Sequence, residues 1–157
     1  MNLYVSNISF GFSIMSLCDI IAQKIENKKK IDFNRTLKIA STAGLLNGFC
    51  LTKWYLVLNK YIPKTTNFFI IKRILADELI YANFSINSYL MINNNFIYDK
   101  YKIDFKNKYL DIYKSDLIIW PISNSINFYY IPLKYQVIFS NCTEFIWSTY
   151  LSHKLNQ

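Results

Sequence analysis

Glycine and proline are scarce, with three of each in 157 residues. An all-β chain needs many more turn residues, so the shortage points to helices. Arginine is almost missing: Arg35 and Arg73 stand alone among 18 basic residues. The formal net charge is +8, but no Arg-rich stripe carries it, and DNA binding is not expected. The one histidine, His153, lies near the end and reads as a solvated tail residue. Three cysteines, Cys18, Cys50 and Cys142, lie in apolar runs without paired spacing. An odd count so placed suggests buried thiols in a reducing compartment, not a metal site. No P-loop, GxGxxG, His-x-x-x-His or Ser/His/Asp set occurs. We therefore expect no enzyme, no cofactor and no catalytic or metal-binding residue. The N-terminus lacks the basic start and cleavage site of a secretory signal, and also the Arg-rich pattern of a transit peptide. An organelle address would have to be internal.

Apolar residues are plentiful. They make up 52% of the chain and aromatics 18%, against 18% charged. Lys, Asn, Ile, Tyr and Phe recur throughout, a bias that fits an AT-rich coding sequence and lowers the weight of any single Lys or Asn. Asn7, Asn83 and Asn141 each begin a glycosylation sequon, but in an Asn-rich chain such matches arise by chance. The length suits one domain, residues 1–157.

The first helix candidate runs from Leu3 to about Gln23. Its polar stripe is Ser6, Ser9, Ser13, Ser16, Asp19 and Gln23, at three- and four-residue steps. About 20 such residues span about 30 Å, the hydrocarbon thickness of a bilayer. A water-facing stripe would carry Lys and Glu. A serine stripe suits contact between helices in lipid. A basic loop follows, centred on Lys28-Lys29-Lys30. The second candidate, Arg35 to about Asn59, is capped by Asp32. It repeats Ala40, Gly44, Gly48 and Thr52 at four-residue spacing, the small-xxx-small pattern of helix packing in membranes. Lys53-Trp54-Tyr55 then offers aromatics and a base for a membrane interface, and Pro63 ends the unit. The third candidate, Phe68 to about Ile92, is more polar. Arg73 and Asp77 are four apart on it and suited to pair. Residues 93–115 suit an amphipathic helix, with Phe105, Tyr109, Ile112 and Tyr113 along one edge. The last candidate, Lys134 to about Ser152, carries Gln136, Ser140, Thr143, Glu144 and Trp147 on its polar side. Glu144 needs a partner or water there.

The stretch from Trp120 to Pro132 sorts most cleanly. Read as a short helix, it places Ile118, Ile122, Ile126 and Tyr129 on one side. Asp116, Trp120, Ser123 and Asn127 fall on the other. Pro121 fits a first turn, and Pro132 a stop. The result is a greasy back and an amide-lined front that other helices would pack against inside a membrane. The polar sets Ser9/Ser13/Ser16/Asp19/Gln23, Ser123/Asn124/Asn127 and Ser140/Glu144, with Asp77 and Asp116, are candidates to bond helix to helix or to line a narrow path for small solutes.

These residues also resemble a known family. Asp19-Ile20-Ile21-Ala22-Gln23, Asp32-x-x-Arg35-Thr36, Gly44, Gly48, Trp54-Tyr55, Leu58 and Pro63 look like the first half of the Mpv-seventeen / peroxisomal-membrane-protein-twenty-two family. Asp116, Trp120-Pro121, Asn127-Phe128, Pro132, Trp147 and Tyr150-Leu151-Ser152 follow its C-terminal signature in order and spacing. The resemblance points in particular to the mitochondrial Mpv-seventeen-like members. Departures fall at Cys18, Phe49, Glu78 (for Gln), Asn83, Leu117, Asn124 (for Gln) and Gln136 (for Arg). The resemblance implies an all-α polytopic membrane bundle of about four spanning helices, with a short amphipathic helix before the Trp-Pro segment. It implies the inner mitochondrial membrane, with the peroxisomal membrane as the alternative. The roles it implies are a small-solute pore, a factor in mitochondrial DNA and nucleotide homeostasis, or a scaffold supporting mitochondrial ribosome assembly. The expected partners are the lipid bilayer, a second copy in a homo-oligomer, and a mitochondrial ribosome met through the basic loops at Lys28–Lys30 and Lys60–Lys64.

Overall fold

The structure is a computed structural model that describes residues 2–26, 30–96 and 105–155. Side chains are described over the same ranges except at 89, 90, 92–96, 105–109, 111, 112, 115 and 149–155. The lysine run at 28–29, the apolar edge at Phe105, Tyr109 and Ile112, and the side chains of Tyr150, Leu151, Ser152 and His153 lie outside the described set.

The described residues are helical, with no strand among them. Helix α1 is Leu3–Ile25, with Asn2 as its N-cap. Helix α2 is Phe33–Ala43, capped as expected by Asp32, whose Oδ1 accepts from Arg35 N–H at 3.0 Å. A π-helical segment, Gly44–Cys50, leads without a break into α3, Leu51–Tyr61. Pro63 follows the end of α3. Helix α4 is Phe69–Ala76, and a second π segment, Asp77–Ala82, joins it to α5, Asn83–Phe96. Helix α6 is Phe105–Tyr130 and α7 is Leu133–Leu155.

The Trp-Pro region differs from expectation in one respect. No separate short helix begins there. Helix α6 is continuous over 26 residues with Pro121 in its interior. The helix gives up one backbone hydrogen bond at Pro121, and the Ser125 hydroxyl donates to the Pro121 carbonyl at 2.7 Å. Pro132 does stop the helix, just after Tyr130.

Two compact units emerge: Met1–Thr52 with Val137–Gln157, and Lys53–Gln136. In the first, α1 packs on α2 and on the first π segment. The inward stripe of α1 is Asn7, Gly11, Met15, Cys18, Asp19, Ala22 and Gln23. This corrects the serine stripe: Ser9 and Ser13 are exposed. The reason is local. A serine can satisfy its hydroxyl on its own helix, as Ser16 does by donating to the Phe12 carbonyl at 2.8 Å. Serines therefore do not need to face a neighbour.

Ala40, Gly44, Gly48 and Thr52 are all buried, as their spacing predicts. The two glycines are not equivalent. A Cβ on Gly48 would lie 2.5 Å from the Ile8 Cα and 2.9 Å from its nitrogen, whereas one on Gly44 would meet Ile8 at an ordinary 3.6 Å. Thr52 donates to the Gly48 carbonyl and accepts from Asn7 Nδ2 at 2.9 Å. Thr52→Val keeps the shape but strands the Asn7 amide. We expect a loss of about 1–2 kcal/mol, read as a lower thermal midpoint in detergent.

In the second unit α6 packs against α4, α5 and the second π segment. Its two sides differ as expected. Asn124 and Asn127 are 0% exposed, while Ile118 and Ile122 are 69% and 65% exposed. Water would favour the reverse arrangement. A solvent of hydrocarbon chains favours this one, because amides then need partners inside and aliphatic groups do not.

Candidate functional site

The predicted polar residues fall into two buried clusters, one in each unit. The first joins the end of α1 to the start of α2. Asp19 and Gln23 are one turn apart, and Gln23 Nε2 donates to Asp19 Oδ2 at 2.7 Å. Thr36 donates to the same oxygen at 2.6 Å. Arg35 Nε pairs with Asp19 Oδ1 at 2.9 Å, and its two terminal nitrogens hold Glu26 at 2.7 and 2.9 Å. The other end of the Gln23 amide accepts from Asp32 N–H at 2.6 Å. The Asp19…Gln23 and Asp32-x-x-Arg35-Thr36 motifs are thus the two halves of one latch across the α1–α2 turn.

The second cluster lies around Asp77, where the second π segment begins. Trp54 Nε1 donates to Asp77 Oδ1 at 2.6 Å, and Asn124 Nδ2 donates to Oδ2 at 2.8 Å. Tyr55 and Asn127 extend this set at longer range, both contacts at 3.5 Å. Trp54 and Tyr55 therefore each turn a polar atom inward. Tyr55 is buried edge-on against Phe128, with ring centres 5.4 Å apart. Asn127 Nδ2 donates to the Gln136 carbonyl at 3.2 Å, and Gln136 Nε2 donates to the Ile131 carbonyl at 3.1 Å. These bonds bridge the break at Pro132, so Gln136 serves the turn with a neutral amide. Asn124 likewise keeps the amide its position needs.

Asp116, Ser123 and Glu78 are buried in the same unit. Glu78 lies in the field of both Asp77 and Asp116, and neither of its carboxylate oxygens has a hydrogen-bond partner. The expected Arg73–Asp77 pair does not form. Arg73 is captured by the Ile62 carbonyl at 2.8 Å and by Asn59 at 3.1 Å, with its guanidinium over Phe69 and Phe128. These groups close the α3–α4 turn and leave Asp77 to the donors of α3 and α6.

Glu144 has the partner it needed, the Ser148 hydroxyl at 3.0 Å. It lies in the first unit with Ser16 and Ser140, away in sequence from the Asp77 set. Ser13 is exposed and joins neither cluster. Sequence reasoning passed over Asn7, Gly11 and Asn141, all buried in the first unit. Asn7 and Gly11 run at four-residue steps into Met15, but the neighbouring serines gave a stronger pattern. Among the described residues no three acids, cysteines or histidines are placed to hold a metal ion. Trp54→Phe removes the donor to Asp77 Oδ1 and leaves a buried carboxylate oxygen bare. We expect a cost of about 1–3 kcal/mol, visible as an earlier thermal transition.

Apolar side chains outside, buried amides and acids inside, and helices among the described residues define the class: an all-helical membrane protein. Among the described residues α1 is the one helix long and apolar enough by itself to cross a bilayer. The Mpv17 / PMP22 family profile matches residues 98–152. The Mpv17 mitochondrial inner membrane protein of Rattus norvegicus is 30% identical over 152 residues, covering 92% of this chain and 86% of the relative. That of Caenorhabditis briggsae is 29% identical over 140 residues, covering 87% and 77%. PXMP2/4 family protein 2 of Dictyostelium discoideum is 28% identical over 162 residues, covering 96% and 83%. No solved structure matches the chain. The chain belongs to the Mpv17 / PMP22 family, and its place is the mitochondrial inner membrane.

Proposed function

We propose a multi-pass protein, a single membrane domain with about four spanning segments, whose buried polar groups give a small solute a narrow path. About four of the five helical rods, α1, 33–61, 69–96, α6 and α7, would supply the segments. The first part of α6, which carries Lys and Asp, would lie at the surface. The observation that carries the reading is the Asp77–Glu78–Asp116 set with Asn124. It is more acid than helix bonding alone needs, and Glu78 takes no part in that bonding.

Liposomes test this. Purified protein should release small hydrophilic solutes faster than empty vesicles, and Asn124→Leu should reduce the release. A well-folded protein with no flux above empty vesicles would refute it.

A second reading has its own support. The latch of Asp19, Gln23, Arg35 and Thr36 is closed on itself, as in a non-conducting scaffold for mitochondrial ribosome assembly or mitochondrial DNA maintenance. It predicts salt-sensitive co-sedimentation with large ribosomal particles. No association at low salt would remove it.

A further inference from the structure

Glu78 stands out among the buried acids. It is 5% exposed, and both of its oxygens are buried without a hydrogen-bond partner. Asp77, its neighbour, has both oxygens engaged, by Trp54 and by Asn124. Asp19 has an arginine, a threonine and an amide. Among the described residues, the charged groups that act on Glu78 are Asp77 on its own segment and Asp116 on α6, both acids. Arg73, on α4, is the nearest base in that stretch of sequence, but it is committed to the Ile62 carbonyl and Asn59. A buried carboxylate with two acids for company and no donor is not stable bare. A bound cation would offset that charge. Among the described residues no three ligating groups converge as a metal ion would require. A proton needs only one carboxyl oxygen.

We propose that Glu78 is an exchangeable proton-binding site on the second π segment, where that segment meets α6. The site does not depend on whether the protein conducts a solute. The π segment suits the role: its wider turn starts at Asp77 and Glu78, where α4 gives way to a looser backbone.

Carbodiimide labelling tests the proposal. Dicyclohexylcarbodiimide reacts with a protonated carboxyl in apolar surroundings. The carboxyl oxygen adds to the central carbon while its proton passes to a nitrogen. The acyl group then migrates from oxygen to the other nitrogen, leaving a stable N-acylurea with nothing lost or oxidised. Full-length protein in vesicles should gain one reagent mass, mapped to the peptide containing Glu78. The adduct should fade as the buffer is made alkaline and be indifferent to sodium and potassium. Glu78→Gln should abolish it without loss of fold, since the amide keeps the side chain's size and removes the ionisable group. No adduct at Glu78 in folded protein, or one insensitive to pH, would overturn the proposal. Protection by sodium or potassium would also overturn it, in favour of an alkali-ion site.

Discussion

Asp19→Ala is expected to cost about 3 kcal/mol, because removing one partner of a buried ion pair strands the other. Asp19 holds Arg35, Gln23 and Thr36 at once, so the change strips an acceptor from three groups. Arg35 keeps Glu26, which limits the loss. Asp19→Asn should cost roughly half as much, since it keeps an acceptor and loses the charge. Glu26→Gln should cost about 1 kcal/mol or less, because that pair is partly solvent-exposed. The order Ala, then Asn, then Glu26→Gln should appear in thermal midpoints measured in one detergent. Equal midpoints for all three would show that the latch bears no load.

The second large effect is at Gly48. Gly48→Ala puts a carbon against the Ile8 backbone, which cannot rotate away. Helix α1 must lift from the π segment, at about 3 kcal/mol, the upper end of the usual overpacking cost. Gly44→Ala is the control: its new carbon meets ordinary contacts, and better helix propensity offsets what is lost. Gly48→Ala should therefore yield little monodisperse protein, while Gly44→Ala should resemble the parent on gel filtration. If both behave alike, α1 does not approach the segment this closely.

These two sites mark how far the sequence could be read. The small-residue spacing located Gly44 and Gly48, but not which of them is in contact, since that depends on where Ile8 lies. The helices, the caps at Asp32 and Pro132, and the two sides of α6 were legible because periodicity and capping are local. The π segments were not. They arise where packing widens a turn, and no residue type announces that. The stripe of α1 was misread because serine satisfies itself on its own helix, while Asn7 and Gly11 carry the contact. Trp54 and Tyr55 looked like interface aromatics, but their indole and hydroxyl are spent inside, on Asp77 and near Asn124. The Arg73–Asp77 pair had the right spacing, but a carbonyl across the α3–α4 turn took the arginine first. Local spacing proposes partners, and distant chain decides among them.

A nitroxide probe at position 122 tests most directly whether lipid surrounds α6. It would be attached to Ile122→Cys, with Cys18, Cys50 and Cys142 replaced by alanine, in protein reconstituted into vesicles. Ile122 lies on the exposed aliphatic side. Frequent collisions with dissolved oxygen and rare ones with a water-soluble nickel complex are the expected result. Frequent nickel collisions and rare oxygen ones would mean that water covers this side, and that the inward amides do not follow from a hydrocarbon solvent.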